Sequence, residues 1–206
     1  MHDILLYGYY MLMVIAFIIS ISYKLPDSAK ILSILLFISI ITELIVEACK
    51  AYDIRYYLLY QIFTPIEYVL ISMYFYKAIF DFAFKRYVKI SMIVFVSICA
   101  TETAINSNAL EFPRLLCYIE CFLIILTAVV ALLLIDVDSS RPIYKIGDFW
   151  FSIAFLFFNS ALFIVLFFDQ QQSLEIRAIF SIINKSANCL LYVLLSVGFL
   201  CLERKR

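Results

Sequence analysis

Apolar residues run through this chain in long blocks separated by short polar connections. Seven blocks approach or reach the length of about 20 mostly apolar residues that a helix needs to cross a hydrocarbon core: residues 4–22, 31–49, 56–76, 88–104, 115–135, 149–168 and 176–201. The connections carry turn signals, among them Pro26-Asp27-Ser28, Tyr52-Asp53, Asn106-Ser107-Asn108, Ser140-Arg141-Pro142 and Asp169 followed by three glutamines. The stretch 106–113 has the least sharp boundary, because the fourth helix can run past Ala104. The pattern predicts an all-α polytopic membrane protein, with residues 1–206 forming one domain of seven transmembrane helices and no separate soluble domain.

Composition sharpens this picture. The 206 residues are 66% hydrophobic and 16% charged, against roughly half and a quarter in an ordinary soluble domain, so a water-soluble fold is excluded. Sixteen basic residues balance sixteen acidic ones, and no basic run is long enough to follow a phosphate backbone. Nucleic acid is therefore not an expected partner. The single histidine, His2, excludes His-ligated metal sites and His general-base catalysis in the interior, and three glycines exclude phosphate-cradling loops. No cofactor and no metal are expected.

Basic residues set the expected orientation. With the N-terminus outside, Lys24, Lys30, Lys77, Lys85, Arg86, Lys89, Arg141, Lys145, Arg204, Lys205 and Arg206 fall inside, whereas Lys50, Arg55, Arg114 and Arg177 fall outside. The topology is N-out, C-in. Asp3 and the absence of Lys or Arg before the first block fit an uncleaved signal anchor.

Ionisable groups inside apolar blocks are the informative ones, since each costs about 2.5–3.5 kcal/mol at mid-membrane on insertion scales. Glu43 and Glu47 share a face of the second helix, Glu67 follows Pro65 in the third, Glu102 ends the fourth, Glu120 lies early in the fifth and Lys185 early in the seventh. In the N-out topology all of them belong to the outer half or the midplane. Polar stripes accompany them: Arg177, Ser181, Asn184, Asn188, Tyr192 and Ser196 on the seventh helix; Asp148, Ser152 and Asn159 on the sixth; Tyr57, Gln61, Thr64 and Tyr68 beside Glu67 on the third. Such faces should turn inward. The first helix has no comparable face, so a peripheral position is expected for it.

Two readings compete. These groups are glue, with Lys185 paired to a glutamate and asparagines bonding across helices, or they line an outward-open pocket or a cation or proton path. Five glutamates against one lysine leave an acid excess that structure alone does not require. Glu67, Glu120, Lys185, Asn188, Glu47, Asn184 and Asn159 are the candidate ligand- or ion-binding residues. For Glu43 and Glu102, near the interface, glue or solvation is favoured. Pro65 frees a backbone carbonyl and is expected to kink the third helix. Tyr7, Tyr9, Tyr10, Tyr52, Tyr56, Tyr57 and Tyr60 read first as an interfacial belt, with a second use at the mouth of a pocket for a cationic ligand.

Known chemistries fit poorly. Lys145-Ile146-Gly147-Asp148 departs from the G-x-G-D of intramembrane aspartyl proteases at its first glycine, and no second aspartate lies within a span. The lysine in the seventh helix resembles the retinal-binding lysine of rhodopsins, yet the one tryptophan, Trp150, stands at a helix end. The six cysteines form no C-x-x-C pair and read as small buried hydrophobes, with a disulfide near the outer surface as the alternative. No catalytic constellation is recognisable.

Pro65-Ile66-Glu67-Tyr68, Asp148-Phe149-Trp150, Asn188-x-x-x-Tyr192 and Gly198-Phe199-Leu200-Cys201, set in this layout, resemble small seven-helix proteins of Bacteroidota and the membrane input halves of certain sensor kinases there. The resemblance implies a sensory or accessory role in a bacterial inner membrane. The expected function is a non-enzymatic sensor taking a small cationic ligand or protons from outside, with output to a signalling partner at Lys85, Arg86 and Lys89 and at Arg204 and Lys205. The alternatives are a small transporter or channel for protons or cations, then a lipid-modifying enzyme. Membrane lipid is the surrounding partner in every case.

Overall fold

A computed structural model describes residues 2–105, 113–135, 142–168 and 174–202, with side chains for 5–104, 113–135, 142–168 and 178–202. The described chain is helical: α1 His2–Ser22, α2 Asp27–Ala51, α3 Tyr57–Ala78, α4 Phe82–Ile105, α5 Arg114–Leu134, α6 Gly147–Phe168 and α7 Leu174–Cys201, with a 3-10 turn at Ile143–Lys145. Six of these, all but α4, are long and apolar enough to cross a membrane, and the chain has the build of a multi-pass membrane protein. Helix α4 begins at Phe82, earlier than the hydropathy pattern indicates, because Asp81 caps it: the Phe84 backbone N–H donates to Asp81 Oδ1 at 2.7 Å. Its first turns thereby take in Lys85, Arg86 and Lys89, which lowers its mean hydropathy.

Local chemistry sets the other ends. Helix α2 closes in a Schellman motif, in which the Ile54 N–H donates to Cys49 O at 2.8 Å and the Asp53 N–H to Lys50 O at 3.2 Å. Asp53 takes the left-handed conformation, φ 55°, that glycine usually supplies at this position. The chain is thus turned directly from α2 into α3. Helix α3 continues from Tyr57 to Ala78 through Pro65.

The helices pack in a closed ring, each against the next and α7 back against α1, with α3 also touching α5. The expectation that α1 is peripheral is therefore corrected: Tyr9, Met13, Ala16 and Ser20 recur at helical spacing and are buried. Its opposite face, with Met11, Val14, Ile18 and Ile21, stays exposed. A helix with one apolar face against protein and another against lipid has little amphipathic signature, which is why the pattern misplaced it.

The two ends of the ring differ. At the end where α3 and α7 finish and α6 begins, aromatic rings fill the interior. Phe151 meets Tyr74 edge-on at 5.5 Å and Phe199 at 5.0 Å between centroids, and Phe75 meets Phe155 at 6.0 Å. Tyr74 donates to Asp148 Oδ1 at 2.6 Å, so the aspartate of the protease-like tetrapeptide is engaged in a structural bond. Helices α6 and α7 approach through Gly147 and Gly198: a Cβ on Gly198 would stand 2.5 Å from the Phe151 ring, and one on Gly147 would stand 2.8 Å from Gly198 O. Small residues at such seams let membrane helices pack backbone to backbone.

This seam makes a direct prediction. Gly198→Ala should destabilise the protein by about 1–3 kcal/mol through overpacking, whereas Gly8→Ala, inside α1 and with a Cβ that would meet nothing within 4 Å, should not destabilise and should gain up to about 1 kcal/mol. Thermal unfolding of the two variants in detergent measures the contrast.

Candidate functional site

At the opposite end, where α2 and α6 finish and α3, α5 and α7 begin, the ring holds a cavity of about 560 Å³. Its acidic members are Glu43 from α2, Glu67 from α3 and Glu120 from α5. Ser39, Thr42, Thr64, Ser181, Asn184 and Asn188 add hydroxyls and amides, and Cys117 a thiol. The walls are aromatic and apolar, with Tyr56, Tyr57, Tyr60, Phe63, Phe158, Leu162, Val165, Leu166, Phe180, Leu191 and Tyr192. Lys50 and Arg114 stand toward the mouth.

The position of each acid follows from its helix. Glu67 is ten residues into α3 and Glu120 six into α5, so they sit about 15 Å and about 9 Å along their axes at 1.5 Å per residue. One turn before each acid, Thr64 Oγ1 and Cys117 Sγ touch at 4.0 Å and tie the two helices together. The two carboxyl groups lie within electrostatic reach of each other, and Glu43 lies within reach of Glu67. Beyond this level the interior closes. Tyr68, Ile71, Tyr74 and Phe75 of α3, Ile124, Ala128 and Ala131 of α5, Phe155 and Phe151 of α6, and Leu195 and Phe199 of α7 are all buried. Tyr68 is fixed there by a 2.9 Å bond to Ser91 Oγ of α4.

The acids differ in how they are satisfied. Glu43 Oε2 accepts from Tyr9 at 3.2 Å and from Tyr10 at 3.5 Å. Glu47 Oε1 accepts from Tyr10 at 3.1 Å and pairs with Lys50 at 2.7 Å. Two of the tyrosines expected in an interfacial belt are therefore the donors that hold the acids of α2. Glu120 is 5% exposed, and its Oε1 is buried without a hydrogen-bond partner among the described residues.

Of the seven candidate binding residues, Glu67, Glu120, Asn184 and Asn188 come together at the cavity, where Asn188 Nδ2 donates to Asn184 O at 2.9 Å. The other three do not line it. Glu47 belongs to the surface pair with Lys50, three residues on in the same helix. Asn159 is buried elsewhere, and its Nδ2 donates to Phe155 O at 2.9 Å, a bond within its own helix. Lys185 stands off the cavity within electrostatic reach of Glu47, so the rhodopsin-like reading loses its ligand-facing lysine. Glu43 lines the cavity as well as serving as glue. Thr64 lies on the polar stripe expected to turn inward but was not among the candidate binding residues, and Cys117, read as a small buried hydrophobe, lies at the cavity one turn from Glu120. Sequence reasoning passed over the apolar wall from α6, which carries no polar signal.

Among the described residues no three His, Cys, Asp or Glu side chains are grouped to hold a metal. All six cysteines are free. At the far end of the ring, Lys85 Nζ stacks over Tyr76 at 5.5 Å and Phe80 at 5.1 Å, while Arg86 and Lys89 are exposed. Arg204 and Lys205 lie outside the described residues, as do the turn signals at 106–108 and 169–172. Comparison with protein-family models, curated proteins and solved structures finds no match.

The contrast between the acids is testable without any ligand. Glu120→Met removes a buried, unpaired carboxylate oxygen and should raise the stability of the empty protein by about 1–3 kcal/mol. Glu43→Met leaves the Tyr9 hydroxyl without its acceptor, while Tyr10 keeps Glu47 Oε1, and should lower stability by a similar amount. Melting temperatures moving in the same direction would contradict this assignment.

Proposed function

We propose that this chain is a non-enzymatic seven-helix membrane sensor or accessory protein that takes a small cationic ligand, or protons, into an outward-facing acidic cavity. The observation that carries the reading is a blind cavity with Glu67 and Glu120 at its base and packed aromatic rings beyond it. A volume of about 560 Å³ falls within the usual range of about 300–1,000 Å³ for small-molecule pockets. Its apolar walls and few convergent polar groups have the composition of a binding site. Helix α4 counts as the seventh span in this reading, since beyond its basic first turns Ile90, Ile93, Val94 and Val96 expose an apolar face.

The N-out, C-in orientation rests on the distribution of basic residues and turns the cavity outward, in keeping with a bacterial inner membrane. Helices α3 and α7 each contribute to the cavity and to the aromatic end, so a ligand that shifts either one moves both. Output then reaches a partner at the cytoplasmic face through Lys85, Arg86 and Lys89, joined by Arg204 and Lys205 of the tail. A transporter is the second reading. It rests on buried Ser72, Thr127 and Ser152 and on the Tyr74–Asp148 bond, polar groups that lie deeper than the acids.

Two measurements separate these readings. Purified protein in lipid nanodiscs should be stabilised by organic or inorganic cations in thermal melts, and Glu67→Gln should abolish that shift while the variant stays folded. Liposomes containing the wild type should show no cation or proton flux. Flux that Glu67→Gln stops would make the chain a transporter, and melts that no cation moves would remove the binding reading altogether.

A further inference from the structure

The strongest unexplained feature of the molecule is the bare oxygen of Glu120. Ninety-five per cent of the residue is out of contact with solvent and the residue borders the cavity, while its Oε1 is turned into the wall with no hydrogen-bond partner among the described residues. Glu43, in the same cavity, is supplied with two tyrosine donors, so the fold furnishes donors to one acid and withholds them from the other. Leaving a buried acceptor unpaired is costly, more so for a carboxylate, and a site that carries this cost when empty recovers it when a donor arrives.

We propose that the cavity recognises a protonated amine, an alkyl- or aralkylammonium ion whose N–H donates to Glu120 Oε1, brought to the cavity by rotation of the side chain, while its carbon body lies against the aromatic walls. This inference deepens the cation-binding reading above and rests on it. Three alternatives supply the charge without the donor or the fit. A quaternary ammonium spreads its charge over methyl groups and brings no N–H, so Oε1 stays unpaired. A bare metal ion needs several ligands at once, and among the described residues no group of three His, Cys, Asp or Glu is placed to provide them. A proton would satisfy the carboxylate but leave the remaining volume and its apolar lining without a use. An ammonium N–H makes a charge-assisted bond, and Tyr60, Phe63, Phe158 and Phe180 offer ring faces and apolar surface to what is attached to it.

The test uses matched pairs of ligands on the full chain in nanodiscs: n-hexylammonium against hexyltrimethylammonium, and 2-phenylethylammonium against its N,N,N-trimethyl counterpart. Isothermal titration or melting shifts give the affinities. The primary ammonium of each pair should bind at least about tenfold more tightly than its trimethyl partner, as expected for a lost hydrogen bond to a charged group. In Glu120→Met that ratio should fall to within about twofold. In Glu67→Gln both members should weaken while the ratio persists. Equal binding of both members by the wild type, or a ratio that survives in Glu120→Met, overturns the N–H assignment and leaves the cation cavity standing. The wild-type comparison stands without either variant. Failure of every member to bind the wild type overturns the cation-binding reading itself.

Discussion

A carboxylate placed among apolar helices must find a donor, a cation or a proton within the protein, because hydrocarbon offers none. That requirement organises one whole end of this bundle. Helix α1 is drawn into the ring with Tyr9 and Tyr10 facing α2, where their hydroxyls reach Glu43 and Glu47. Lys50 completes the surface part of the same cluster. Once these bonds close α1 against α2, and the packing of α1 on α7 closes the ring, the acids of α3 and α5 are shut away from lipid and face an interior space. Glu67 and Glu120 then have only the cavity to look to.

The other end obeys a different rule. There the interior is filled by rings and by close helix approach at Gly147 and Gly198, and its carboxyl group, Asp148, is bonded to Tyr74, although the buried hydroxyls of Ser33 and Tyr87 have no partner among the described residues. Dense packing makes that end a stiff base, since close-packed interiors resist continuous deformation. Helix α3 carries Glu67 and Tyr74 seven residues apart, two turns and so on one side of the helix. In the sensor reading this spacing gives the open end a mechanical connection to the stiff one.

Much of the fold was legible because a 20-residue apolar block leaves few choices in a membrane. The same physics hid α1: protein and lipid are equally apolar neighbours, so no pattern of residue types distinguishes a helix wedged in the ring from one leaning on it. The site was legible by half. Acids that cannot be left in lipid had to turn inward, and Glu67 and Glu120 did so. Angular proximity on a helix could not tell Asn159, which bonds to its own helix, from Asn184 and Asn188, which reach the cavity. Nor could it show that Lys185 stands off the cavity, within electrostatic reach of Glu47. Glu47 was resolvable in principle, since Lys50 three residues on is the ordinary helical partner for it.

The balance between glue and function comes down to what each acid gives the empty protein. Glu43 and Glu47 are bonded by tyrosine or lysine donors, and a fold that needed only cohesion would treat every buried carboxylate alike. Glu120 is treated differently: it is as buried as a core leucine and has an oxygen with no donor among the described residues. An apolar side chain of similar size would fill that position at lower cost, since a buried charge is stabilising only when it is paired. Residues held against their own stability concentrate where a protein meets its ligand. In the amine-binding reading the unpaired oxygen, the cavity that its residue borders and the packed floor beyond share one physical explanation, a partner that arrives from the open end carrying the missing donor.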